Sequence, residues 1–97
     1  MNSSEITDFD IAEYLDNEEI IAAYLSEILA EGNAAEFMAA LGDVARARGV
    51  SELAAQTGLG RESLYKTISG NSKPRFDTVL KIANALNLQL SLTSKTA

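Results

Sequence analysis

The chain has 97 residues, 46% of them hydrophobic and 23% charged, which leaves room for one small domain with at most an appended arm. It contains no cysteine and no histidine, so disulfides, thiolate zinc sites, thiol nucleophiles and imidazole general bases are excluded, and most small-enzyme chemistry with them. No apolar stretch reaches the roughly 18 residues of a membrane span, and the acidic opening from Met1 to Asp10 resembles neither a secretory nor a mitochondrial leader, so the expectation is a soluble cytoplasmic protein.

The net charge of −6 conceals a two-ended chain. Residues 1 to 45 carry eleven acids and no Lys or Arg, whereas residues 46 to 97 carry eight bases against Glu52, Glu62 and Asp77. Such asymmetry fits two partners of opposite charge; the plainer alternative is that the acids solvate exposed helix faces.

In chain order, residues 1 to 7 are polar and expected to fray, and Asp8-Phe9-Asp10-Ile11 alternates acidic with apolar residues as a short extended piece would. Asp16-Asn17-Glu18-Glu19 offers a capping acceptor and acids for a helix start, predicting a helix over about 17–31 with an apolar stripe of Ile20, Ile21, Tyr24, Leu25, Ile28 and Leu29. Gly32 stops it. Asn33 to Glu36 repeats the capping pattern, and Phe37, Met38, Leu41, Val44, Ala45 and Arg48 mark a second helix ending at Gly49. A short third helix follows, with Ser51 expected as N-cap, Leu53 and Ala54 inward, and Gly58 closing it. A fourth spans about 61–69 with Leu64 and Ile68 on one face. Gly70 to Arg75 reads as a loop. Phe76, Val79, Leu80, Ile82, Ala83 and Leu86 define a fifth helix stopping near Asn87. Leu88, Leu90 and Leu92 then alternate with polar residues as a half-buried strand requires; a lone strand must find a ladder partner in another protomer, the N-terminal piece or a partner chain, or else remain a packed tail.

The segment from Val50 to Ile68 carries the strongest signal. Two short helices around a glycine-bearing turn form the device that presents a row of side chains to a DNA major groove. Ala54 is small where the helices cross, Leu59 plugs the angle and Leu64 fixes the second helix on the core. The outward candidates for base reading are Arg61, Glu62, Ser63, Tyr65 and Lys66, since Arg and Lys forks suit guanine and a carboxylate suits cytosine N4. Lys73 and Arg75 suit phosphate contact, with Ser51, Gln56 and Asn71 as neutral additions.

The run Leu53-Ala54-Ala55-Gln56-Thr57-Gly58-Leu59 resembles the lambda-repressor-like helix-turn-helix class. With Phe9 to Asp16, Ala40 to Gly49 and Arg61 to Lys66, the order over about residues 9 to 92 is similar to the HigA-like addiction module antidote family. The implied architecture is all-α: a five-helix domain over 17–92 with its helix-turn-helix at about 51–69, an acidic N-terminal arm over 1–16, a short C-terminal β-strand, and a tail over 93–97. The implied function is an antitoxin that binds a basic, RelE-like ribonuclease toxin and, as a dimer, represses its own operon. The family usually has a serine before the Arg-Glu pair where this chain has Gly60, a weaker cap. The step from Leu64 to Ile68 is four residues rather than three, leaving Thr67 open between groove and core.

Eleven negative charges suit a basic toxin, and the apolar anchors assigned to it are Phe9, Ile11, Tyr14, Leu15, Ile21 and Tyr24, because aromatic anchors dominate interfaces. The competing reading packs these side chains onto the core, which suits Ile21, Leu25 and Ile28 best and Phe9 and Tyr14 least. Leu88, Leu90 and Leu92 are the dimer candidates. Ser63-Leu64-Tyr65-Lys66 spells S-x-x-K, but the companion elements of that acylase signature are missing. Gly58-Leu59-Gly60 lacks the third glycine of a dinucleotide cradle, and the acids lack EF-hand spacing. No enzyme activity, cofactor or metal is expected. The rival function is a stand-alone helix-turn-helix regulator without a toxin.

Overall fold

The computed structural model describes residues 17–69 and 73–95. Among these residues the regular structure is wholly helical: α1 (Glu18–Ala30), α2 (Ala34–Arg48), α3 (Val50–Thr57), α4 (Arg61–Ile68) and α5 (Phe76–Ala85). The expected all-α class and the five helices are present; the N-terminal arm over 1–16 lies outside the described residues.

Local chemistry sets most of the boundaries. The Oδ1 atom of Asn17 accepts from the Ile20 N–H at 3.1 Å, and that of Asn33 accepts from the Glu36 N–H at 3.0 Å. Each satisfies one of the donors left open at a helix start, with Glu18, Glu19 and Glu36 favourably placed in the first turns. Ser51 is not the cap of α3. Gly49 both ends α2 and begins α3, its carbonyl accepting from the Leu53 N–H at 3.1 Å, so Ser51 lies inside the first turn with its side chain exposed.

The C-terminal segment departs from expectation in an informative way. Residues 88–94 hold no strand. Asn87 adopts a left-handed φ of 64°, its N–H donates to the Asn84 carbonyl at 3.0 Å, and the Leu88 N–H donates to the Ala83 carbonyl at 2.9 Å. This pair of bonds is the Schellman termination of a helix, with asparagine in the position usually taken by glycine. Leu88 therefore belongs to the cap of α5 and packs against the core; Leu90 is half-buried and Leu92 fully exposed. With no ladder partner among the described residues, the leucine alternation yields a tail beside the domain rather than a strand.

α2 is the hub. It packs against α1, α3 and α4, while α3 also packs against α4 and α5. Leu41, Val44, Leu53, Leu64, Ile68, Ile82 and Leu86 lose essentially all contact with solvent, joined by Ile21 and Leu25 from α1. Two members of the expected inward face of α5 point outward instead: Phe76 is 68% and Leu80 40% exposed. Val79, Ile82, Ala83 and Leu86 already fill the side of α5 that meets the core, and Phe76 and Leu80, four apart, fall at the edge of that side, about a quarter-turn round the helix. Leu29, counted in the α1 stripe, is likewise 43% exposed.

Candidate nucleic-acid interface

α3 is anchored by Val50, Leu53 and Ala54, and α4 by Leu64 and Ile68, all buried. The turn between them, 58–60, owes its shape to two features. Gly58 has φ 76° and ψ 4°, the left-handed conformation that costs a side-chain-bearing residue roughly 1–2 kcal/mol. Thr57 ties the turn together: its hydroxyl donates to the Leu53 carbonyl at 2.8 Å and accepts from the Leu59 N–H at 3.2 Å. Leu59 is half-buried against the core, in the angle between the two helices.

Burying Leu64 and Ile68 decides what α4 shows to solvent. Arg61, Glu62, Ser63, Tyr65 and Lys66 are all exposed, so the residue set read as base-contacting shares the open side of one short helix. The Arg61 guanidinium lies 5.7 Å from the centroid of the Tyr65 ring, a cation–π distance that holds the two side chains over the same turn. Thr67 is half-buried. Gly60 starts α4 without any side-chain cap hydrogen bond, in keeping with the weaker capping expected there.

The described phosphate candidates lie on α3 and just before α5. Ser51 and Gln56 are exposed on α3, and the Gln56 amide donates to the Glu52 carboxylate over a long 3.5 Å. Lys73 and Arg75 are exposed just before α5, where Arg75 pairs with Asp77 at 3.3 Å. Asn71 lies outside the described residues, as do Phe9, Ile11, Tyr14 and Leu15. Of the two described residues assigned to the toxin, Ile21 is 1% exposed and is corrected to the core: a side chain already enclosed by the domain offers no surface to a partner. Tyr24 is half-buried, and burial, followed by the negative charge of Asp43, raises its phenol above the usual 10.0.

Two residues at this site escaped sequence reasoning. A Cβ at Gly42 would sit 2.7 Å from the Ile68 carbonyl oxygen, so α2 and α4 approach backbone to backbone there. One turn later Arg46 donates from Nη1 to that same carbonyl at 3.3 Å and from Nη2 to Asp43 at 2.8 Å. A glycine within an otherwise good helical pattern is the signal that points to such a close approach; the bond to residue 68 has no local signature.

A family model described as "probable addiction module antidote protein" matches residues 5–94. An uncharacterised protein of Haemophilus influenzae is 49% identical over 90 residues, an alignment covering 93% of each chain. No solved structure matches the chain.

Proposed function

The chain belongs to the addiction module antidote family, whose role is that of an antitoxin with a toxin as partner, and from this premise we propose that it acts through two separate surfaces. The base-rich half binds operator DNA and represses the chain's own operon, with Arg61, Glu62, Ser63, Tyr65 and Lys66 meeting base edges and Ser51, Gln56, Asn71, Lys73 and Arg75 meeting phosphates. The acidic half binds a basic toxin of the RelE-like ribonuclease type, with Phe9, Ile11, Tyr14, Leu15 and Tyr24 as its apolar contacts. The protein is cytoplasmic and is not an enzyme.

The observation that carries this reading is the exposed face of α4. A helix of eight residues buries two apolar side chains and leaves five polar or aromatic ones, including two cations, pointing away from the domain. That is what insertion into a major groove requires. The acids cannot serve the same surface, because a phosphate backbone repels them, but they steer a cationic protein. No helix among the described residues is long and apolar enough to cross a membrane. Ser63 and Lys66 stand in open solvent, without the enclosure that acyl transfer needs.

A second copy of the chain covers the outward face of α5. Phe76 and Leu80 are exposed there, and the groove beside them is lined by Ala83, Leu88 and Leu90. Asp77 and Lys81 lie one turn apart on the same exposed side, so two copies related by a two-fold axis and packed antiparallel bring each lysine near the other's aspartate. Such a dimer supplies the two readers, one helical turn of DNA apart, that a palindromic operator calls for.

Two measurements test the proposal together. Gel-shift titration on a duplex from the chain's own promoter should show binding that weakens steeply with salt, and Arg61→Ala should cost about 1–3 kcal/mol on that duplex while relaxing base preference. Co-expression with the adjacent reading frame should co-purify a basic protein. DNA binding without a co-purifying partner would leave a stand-alone regulator; an Arg61→Ala titration identical to wild type would remove α4 as the reader.

A further inference from the structure

We infer that Arg46, on α2, is a positioning residue for the reading helix: it fixes the angle at which α4 meets DNA without touching DNA itself. The inference rests on the DNA-reading role proposed above and adds the element that sets its geometry.

α4 needs such a support. It is eight residues long, lacks a side-chain cap at its N-terminus, and is too short to be stable apart from its packing. Its C-terminal carbonyls have no partners within the helix. The Ser69 hydroxyl satisfies that of Lys66 at 2.9 Å, and the Arg46 guanidinium satisfies that of Ile68 at 3.3 Å. A cation at the negative end of a helix is favourable on electrostatic grounds as well. Arg46 is itself aimed, since Asp43, one turn earlier on α2, holds its other terminal nitrogen at 2.8 Å. The missing side chain of Gly42 lets the two backbones come close enough for this bond, because any Cβ there would meet the Ile68 oxygen at 2.7 Å.

The result is a fork spanning two helices. The carboxylate of Asp43 fixes the guanidinium plane, and the plane fixes the last turn of α4. An eight-residue helix is about 12 Å long, so a tilt of roughly 10° about its anchored end moves Arg61, at the other end, by about 2 Å, enough to break a base-edge hydrogen bond. Lysine cannot reproduce the arrangement, because a single ammonium lacks the rigid fork that reaches both acceptors.

The test compares wild type, Arg46→Lys, Arg46→Met and the milder Asp43→Asn on two duplexes of equal length: one selected by wild type from a random-sequence pool, and one scrambled. Circular dichroism establishes the folded fraction of each variant. The expected result is that both Arg46 variants lose about tenfold in preference for the selected duplex, within the range for coupled neighbours. Binding to the scrambled duplex and the slope of affinity against salt should stay as in wild type, and Asp43→Asn should give a smaller loss of the same kind. Combining Arg46→Met with Arg61→Ala should cost less than the two separate losses together. A salt slope reduced by about one, with Arg46→Lys rescuing affinity, would make Arg46 a direct phosphate contact and overturn the inference. Unchanged preference per folded molecule would reduce it to a stability contact and overturn it equally. Failure of wild type to select any sequence would strike the DNA-reading role itself, a result distinguishable from either.

Discussion

At Gly42 two effects of opposite sign compete. Alanine is favoured over glycine inside a helix by roughly 1 kcal/mol, yet its methyl group would press on the Ile68 carbonyl at 2.7 Å and on the Ile68 Cβ at 3.3 Å. The contact is with backbone, which cannot swing aside, and overpacking of this kind costs about 1–3 kcal/mol. Gly42→Ala should therefore lower the denaturation midpoint, measured by urea titration; a raised midpoint would mean that α4 gives way freely. Tyr24 carries a different signature. Its phenol is raised by burial first and by Asp43 second, so it ionises later in the folded chain than in the unfolded one. The stability it contributes is full below about pH 10 and is lost as pH climbs through the raised value. As pH rises above about 10, the wild type should lose more stability than Tyr24→Phe, which has no proton to release at this position.

At the scale of the element, the turn between α3 and α4 joins two short helices at a fixed angle. Gly58→Ala places a side chain where φ is 76° and should cost about 1–2 kcal/mol, with no compensating contact because the space around that position is open. Thermal unfolding reads this directly, and operator affinity per folded molecule should change little. Much of this turn was legible in the sequence. The glycine after a short amphipathic run, the small Ala54 and the spacing of Leu64 and Ile68 all follow from local geometry, as does the asparagine cap at 33; at the first helix the cap is Asn17, one residue later than the expected start implied. The expected Ser51 cap was not right, because Gly49 serves two helices at once and leaves no separate residue to begin α3. The C-terminal strand also failed: period-two alternation permits a half-buried strand but does not secure one, and α5 draws Leu88 into its own termination.

At the scale of the whole molecule, the surface divides by chemistry. Acids dominate α1, the exposed cations fall on the end of α2, on α4 and from the start of α5 onward, and an apolar strip with Asp77 and Lys81 beside it runs along the exposed edge of α5. The dimer prediction belongs at this scale. Leu80→Glu removes an apolar contact and sets like charges across a two-fold axis. Sedimentation equilibrium should show wild type as a dimer and the variant shifted to monomer, with the helical content unchanged. A variant that remains dimeric would move the interface elsewhere.

The sequence by itself determined the helical class, the number and order of the helices, the asparagine cap of α2, and the identity of the outward row on α4, because each of these depends on neighbours within about one turn. The charge division was equally plain, being a property of where the acids and bases stand along the chain. Only the tertiary structure decided that Phe76 and Leu80 lie outside, that Ile21 is core, and that Gly42 and Arg46 meet the end of α4. These are choices among surfaces that compete for one small interior, and contacts such as Arg46 with Ile68 join residues 22 apart in sequence. Periodicity says which side of a helix is apolar; only the packed domain says how much of that side finds something to cover it.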